Sequence, residues 1–418
     1  MKFINKSGRL LFLGYLALLS MLGFVATDMY LPAFKSIEMT FDTSAAQVAS
    51  SLTFFLAGLA IGQLLYGPLV QRYGKRVSLL IGLSLFGVAS YTIAISDSML
   101  MFNIGRFFQA LGACSAAVIW QAIVIDKYDA TEAQKVFSNI MPLVALSPAL
   151  APILGAYVLE HSEWRTIFIM LTALTVLLML ATVLWVKKEP VKLGGDDNHA
   201  VSYLDMFNSP KYLGNVIIFG ACSAAFFSYL TLWPIVMEQH GYRATEIGLS
   251  FIPQTIMFIV GGYMSKVLIR KVGVEQSLTL LLLLFGLCVA GIAFSTLVLR
   301  SETIWPLLTI FSILAAANGA CYPIVVNSAL QVFKHASAKA AGLQNFLQIG
   351  MAFGASSLVA IWASQGEVTI ALAIVVCSVG VLAGYRIRKL SNWKILTDEL
   401  QTPDPANIAL YRDKENKD

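Results

Sequence analysis

Apolar runs of roughly 20 residues, each long enough to cross a hydrocarbon core about 30 Å thick, recur along the whole of this 418-residue chain. That repetition restricts the fold more than any single motif. Inside such a run a helix satisfies every backbone donor and acceptor without water, so the expected class is an all-α membrane protein. Charged residues are 13% of the sequence and hydrophobic ones 57%, whereas soluble domains carry about 25% charged residues. Soluble enzymes, nucleic-acid binders and disordered scaffolds are excluded on that basis. The net charge of +5 is not a nucleic-acid footprint, because the basic residues sit in short loops between the runs.

Twelve spans are expected, near 9–33, 46–69, 77–96, 99–125, 136–159, 165–186, 212–237, 246–269, 275–298, 304–331, 338–363 and 366–386. The first is too long for a signal-peptide core, lacks a small-residue cleavage site and feeds directly into the second, so it is expected to stay in the mature protein. With the N-terminus placed in the cytoplasm, 24 of the 29 Lys and Arg residues fall in inside segments and 4 (Lys35, Arg165, Arg243, Arg300) outside; Arg106 lies within a span. The positive-inside rule then puts both termini in the cytoplasm. The longest internal loop, KKEPVKLGGDDNHAVSYLDMFNSPK, follows the sixth span. It divides the chain into an N-terminal six-helix half (1–186), a cytoplasmic inter-half loop (187–211), a C-terminal six-helix half (212–390) and a cytoplasmic tail (391–418). Two such halves around a midplane site are the architecture of many secondary transporters.

Catalytic and metal-binding signatures are missing from the sequence. All five cysteines (Cys114, Cys222, Cys288, Cys321, Cys377) fall inside spans and imply no disulfide framework. The four histidines lie in loops with no Cys/His spacing that suits a metal. There is no Walker A loop and no nucleophile elbow. The expectation is a non-enzyme without metal or cofactor.

Two charges stand inside spans, where a charge costs at least about 2.5 kcal/mol and marks function by default. Asp28 closes the run LSMLGFVATDMYLP of the first span, and Arg106 lies in NIGRFFQALGACSAA of the fourth. Counted from the outer ends of their spans, both sit at similar depth in the same half. A carboxylate near an arginine makes a workable proton switch. The plainer alternatives are a snorkelling or helix-capping role for Asp28 and a clamp on backbone carbonyls for Arg106. Asp126, at the inner end of the fourth span, reads as a solvated or latch residue.

Several helical faces are candidates to line a cavity. The fourth span carries Arg106, Ala110, Ala113, Ala117 and Gln121 as a stripe, with Trp120 beside it; small residues let helices approach closely. Pro148, Pro152 and Gly155 in the fifth span read either as a kinked gating helix or as ordinary packing. The seventh span places Cys222, Phe226, Tyr229 and Trp233 on one face, which suits a stacking wall for a flat ligand or an interfacial belt. Gln254, Asn318, Tyr322, Asn327, Gln344, Asn345 and Gln348 add polar groups to the later spans. In lipid such amides face the interior, as glue between helices or as contacts to a neutral polar ligand. Asn and Gln match the donor–acceptor edge of adenine, chemistry that suits a nucleobase.

The segment GPLVQRYGKR resembles the G-x-L-x-D-R-x-G-R-K signature of the major facilitator superfamily. Gly67, Leu69, Arg72, Gly74 and two basic residues match, with Gln71 where aspartate is expected. The resemblance implies a cytoplasmic latch formed by Gly67, Gln71, Arg72, Gly74, Lys75 and Asp126, with Lys75 reaching toward Asp126. The runs ATDMYLPAF, GRFFQALGACSAAVIWQA and IMPLVALSPALAPILGAY are similar to the Bcr/CflA drug:proton antiporter subfamily, and within it most similar to purine nucleoside transporters. This implies proton coupling through Asp28, with Arg106 as its partner. It also implies alternating-access transport of purine nucleosides, with import favoured, across a bacterial inner membrane; the alternative is broad drug efflux. The expected substrate contacts are Tyr30, Trp120, Gln121, Phe226, Tyr229, Trp233, Gln254, Asn318, Tyr322, Asn345 and Gln348. The expected partners are a small molecule, protons and the lipid bilayer, without nucleic acid, for a protein that works as a monomer on the proton gradient.

Overall fold

The computed structural model describes residues 6–189, 201–300 and 303–401, and all regular structure in them is helical. The long helices are α1 (Lys6–Asp28), α3 (Ala45–Ala94), α4 (Met99–Lys127), α5 (Ala130–His161), α6 (Trp164–Trp185), α8 (Pro210–Gln239), α9 (Ala244–Val272), α10 (Val274–Ala293), α11 (Trp305–Val332), α12 (Ser337–Ile361) and α13 (Glu367–Gln401). Two short helices, α2 (Phe34–Thr40) and α7 (Tyr203–Phe207), lie in connections. Among the described residues nine helices are long and apolar enough to cross a membrane. Adding α5 and α12, and counting the two rods of α3 separately, brings the set into line with twelve spans.

Local chemistry fixes the helix ends. The side chains of Ser44, Ser98, Asp129 and Ser209 each accept a backbone N–H in the first turn of α3, α4, α5 and α8, which satisfies donors that a helix start leaves free. Pro210 follows Ser209 at the first turn of α8, where its missing N–H costs nothing. Within α3 the two rods meet at Gly74, whose φ of 77° lets the chain reverse direction; a side chain there would be strained.

Three boundaries differ from the sequence expectation. Helix α1 ends at Asp28 rather than continuing to 33, and a 3-10 turn containing Pro32 follows. The signature segment is not a loop but helical on both sides of Gly74. The last helix continues to Gln401, past the expected start of the tail at 391. The expected kink at Pro148 and Pro152 does not interrupt α5, which is continuous through both. Residues 190–200 of the inter-half loop and 402–418 of the tail lie outside the described residues.

Large apolar side chains such as Leu10, Ile81, Val88, Leu184, Leu287 and Val376 cover the outer surface, as a lipid-facing wall requires. Inside, α4 packs on both rods of α3, while α8 packs on α11, α12 and α13. The two halves meet where α12 lies against α3 and α4, and where α5 lies against α9 and α11.

Candidate functional site

Arg106 is completely buried in the N-terminal half. One of its terminal nitrogens donates to the Ala26 carbonyl at 2.9 Å and to Gln109 Oε1 at 2.5 Å; Gln109 in turn donates to Ser90 at 2.8 Å. The guanidinium lies 4.1 Å from the ring centre of Tyr30 and 4.2 Å from that of Phe55, an arrangement that offsets part of the cost of desolvating the charge. Its Nε and second terminal nitrogen have no hydrogen-bond partner among the described residues. Tyr30 is itself buried and shares a hydrogen bond with Ser51 at 2.8 Å.

Asp28 ends α1 two residues beyond the carbonyl that Arg106 holds, so acid and base do occupy the same depth. They form no ion pair within 4.0 Å, and Asp28 is only partly buried. The arginine is anchored by backbone, amide and rings, not by the acid. Gly155 sets the spacing beside them: a Cβ there would stand 1.8 Å from the Met29 carbonyl oxygen, so α5 touches the chain just after Asp28 through bare backbone.

The C-terminal half is built differently. Tyr229 stacks on Phe311 at 3.5 Å and 8°, and on Trp233 at 4.9 Å and 18°. Phe226 continues the stack on Phe311 at 5.7 Å, and Phe258 bridges Phe226 to Tyr322. Trp233 donates to Ser250 at 2.8 Å. Because α8 and α9 run antiparallel, that bond brings Tyr229 level with Gln254 one turn further along. The Tyr229 hydroxyl and both amide atoms of Gln254 are buried without a partner among the described residues. Asn318 donates to the Cys222 carbonyl at 3.4 Å and its Oδ1 is free, while the Tyr322 hydroxyl accepts from Ser223 at 3.1 Å.

Between the halves lies a cluster of amides. Asn345 donates to Gln63 Oε1 at 3.3 Å and to the Ala117 carbonyl at 3.4 Å; Gln121 donates to Asn345 Oδ1 at 3.1 Å, and Gln344 to Gln121 Oε1 at 3.5 Å. At the same end Asn327 donates to Gln134 at 3.0 Å, Ser138 meets Ser265 at 3.2 Å, and Lys266 donates to Asn139. A Cβ on Gly342 would stand 2.2 Å from the Gln63 carbonyl oxygen. Lys75 pairs with Asp126 at 2.5 Å and with Glu189 at 2.7 Å, and Asp126 accepts from Ser337 of the other half at 3.2 Å. Among the described residues every hydrogen bond between the halves lies at this one end.

Most residues singled out from the sequence therefore fall into three groups. Asp28, Arg106 and Tyr30 come together in the first half, and Phe226, Tyr229, Trp233, Gln254, Asn318 and Tyr322 gather in the second. Gln121 and Asn345 bond to each other across the interface, so their amides are engaged as glue rather than free toward a cavity. Trp120 packs on Phe137 at 5.3 Å. Gln348 is partly exposed on α12, and Gln71 and Arg72 lie on the helical turn before Gly74. The small-residue stripe of α4 packs Ala110 beside α3, and Ala113 beside α1. Sequence reasoning missed Gln109, Phe55, Phe311, Gln63 and Glu189. Of these only Gln109 carried a local signal, being three residues from Arg106 on one helix face.

The chain is similar to the bicyclomycin resistance protein homolog of Haemophilus influenzae, 28% identical over 66% of this chain and 71% of that protein. It is also similar to the multidrug resistance protein MdtL of Klebsiella pneumoniae, 27% identical over 67% of this chain and 77% of that protein. Among solved structures, the E. coli fucose:proton symporter FucP superposes with a TM-score of 0.71 at 14% identity, over 91% of this chain and 98% of that one, a likeness of fold. The matching family model is that of the Major Facilitator Superfamily and spans residues 16–356. The chain thus belongs to the Major Facilitator Superfamily of membrane transporters.

Proposed function

We propose that this protein exports amphipathic, aromatic drug-like molecules across a bacterial inner membrane in exchange for protons. The observation that carries the reading is the unpaired Asp28, partly buried beside the wholly buried but independently anchored Arg106. A carboxylate not locked in an ion pair is free to bind and release a proton. The drug-resistance names of the relatives support efflux over nucleoside import. The aromatic stack, buried in this state, would supply apolar faces to a planar cation or neutral ring system once the halves part, a surface that tolerates many shapes.

In this cycle the two halves, held at the amide-sealed end, expose Asp28 to the opposite side. By the distribution of Lys and Arg the sealed end is cytoplasmic, so the proton enters from outside. Protonation and substrate binding then alternate as the seal opens and closes. Purine nucleoside transport is the second reading, favoured by Gln254, whose unpartnered amide offers the donor–acceptor pair that an adenine edge requires.

The test is expression in a bacterial strain lacking its own efflux pumps, with drug susceptibility and labelled adenosine uptake measured side by side. Reduced drug accumulation that collapses when the proton gradient is dissipated supports export. Gradient-driven adenosine uptake without drug protection replaces it with the nucleoside reading.

A further inference from the structure

A cavity of about 290 Å³ opens at the sealed end, beside the amide cluster. Its wall carries Lys135 from α5 of the first half, together with Lys211, Lys266 and Arg270 from α8 and α9 of the second. The single carboxylate in that wall, Glu275, is engaged by Arg388 at 2.5 Å. Lys266 donates to Asn139. The side chains of Lys135, Lys211 and Arg270 have no hydrogen bond or ion pair among the described residues. The floor is already satisfied: Asn327 bonds to Gln134 and to the Ala130 carbonyl, and Gln331 donates to Asn327.

The contrast with Lys75 is informative. That lysine, at the same end, is neutralised by two carboxylates. Four cations sharing one cavity repel one another unless an anion joins them, and among the described residues the one acid in this wall is already paired with Arg388. Basic pockets between membrane helices near the headgroup level hold lipid phosphates. Because both halves contribute cations, an anion bound here also ties the halves together.

We infer that this cavity binds a phosphate-bearing anion, supplied as the headgroup of an anionic phospholipid, and that its occupation holds this end of the transporter shut. A free phosphate ester carries the same chemistry. The inference concerns the interface between the halves and does not depend on the substrate.

The experiment compares the intact protein in nanodiscs of phosphatidylcholine alone with nanodiscs that also contain phosphatidylglycerol, and with inorganic phosphate added to the detergent-purified protein. Phosphatidylglycerol is expected to raise the melting temperature by about 3 °C, as a ligand selective for the folded state does. The triple variant Lys135→Gln/Lys211→Gln/Arg270→Gln loses that rise, with lipid binding weakened about fivefold per cation removed. The charge-conserving variant Lys135→Arg/Lys211→Arg keeps it, which separates loss of charge from loss of folding. If inorganic phosphate alone reproduces the rise in the wild type, the site stands with a soluble anion as its occupant. A wild-type melting temperature indifferent to both lipid and phosphate, or a triple variant that responds as the wild type does, overturns the inference.

Discussion

The interiors of the two halves differ in kind. The first half holds an acid and an arginine among aromatic rings: Arg106 is clamped by Ala26, Gln109, Tyr30 and Phe55 while Asp28 stays unpaired. The second half has no charge in the middle of its helices and holds a continuous aromatic stack from Trp233 through Tyr229 and Phe311 to Phe226, edged by unpartnered amides and a hydroxyl. On the proposed function this difference would divide the labour, with proton exchange on one side and substrate reception on the other. A charge that must change protonation needs a rigid, polar-anchored surround. A surface that must accept varied ring systems needs apolar faces with few fixed hydrogen bonds.

The sharpest way to break this contrast is Asp28→Asn, which keeps the size of the side chain and removes its proton chemistry. Drug resistance is expected to fall to the level of cells without the transporter while membrane insertion is retained; resistance at the wild-type level would place coupling elsewhere. Arg106→Ala comes next. It leaves the Ala26 carbonyl and Gln109 Oε1 without their donor, at a cost of about 1–3 kcal/mol for each buried group. A lower melting temperature and an altered pH profile of transport are expected, and an altered melting temperature with an unchanged profile would reduce Arg106 to a structural role.

Gly342→Leu drives a side chain into the Gln63 carbonyl and is expected to part the sealed end. Spin labels on α3 and α12 should report a wider separation there, and an unchanged distance distribution would show that the close approach is dispensable. On the receptive side, Phe311→Ala removes the ring that Tyr229 and Phe226 both stack on. At about 0.5–1.5 kcal/mol per aromatic pair, drug affinity should weaken roughly three- to tenfold with proton coupling intact. Loss of coupling instead would mean that the halves are not specialised. Asn345→Ala has the smallest expected effect. It deletes two donors and an acceptor of the seal at about 1 kcal/mol per net hydrogen bond, and should shift the same spin-label distances only slightly.

The sequence carried the helix pattern because lipid imposes a length and a polarity on every span. The two charges were legible for the same reason, since few side chains are as costly in that environment. The latch partner of Lys75 was legible in part: Asp126 followed from the resemblance, but Glu189 did not, because it approaches from the chain just past α6, 114 residues away. The amides show the other limit. Gln121 and Asn345 looked like ligand contacts from polarity alone, and the structure pairs them across the halves at a separation of 224 residues. Polarity identifies an inward face; only the tertiary arrangement decides whether that face meets a ligand or another helix. Phe311 was invisible for a similar reason, as an aromatic residue in an apolar helix has no feature that sets it apart until its neighbours are placed.

The central claim, that Asp28 is the proton carrier, is tested most directly on the purified protein in weakly buffered detergent with a pH indicator. Adding a transported drug to the wild type should release protons, and drug affinity should fall as the medium is acidified. The Asp28→Asn variant should release none and bind drug with an affinity that does not vary with pH. Proton release of equal size from that variant would contradict the account.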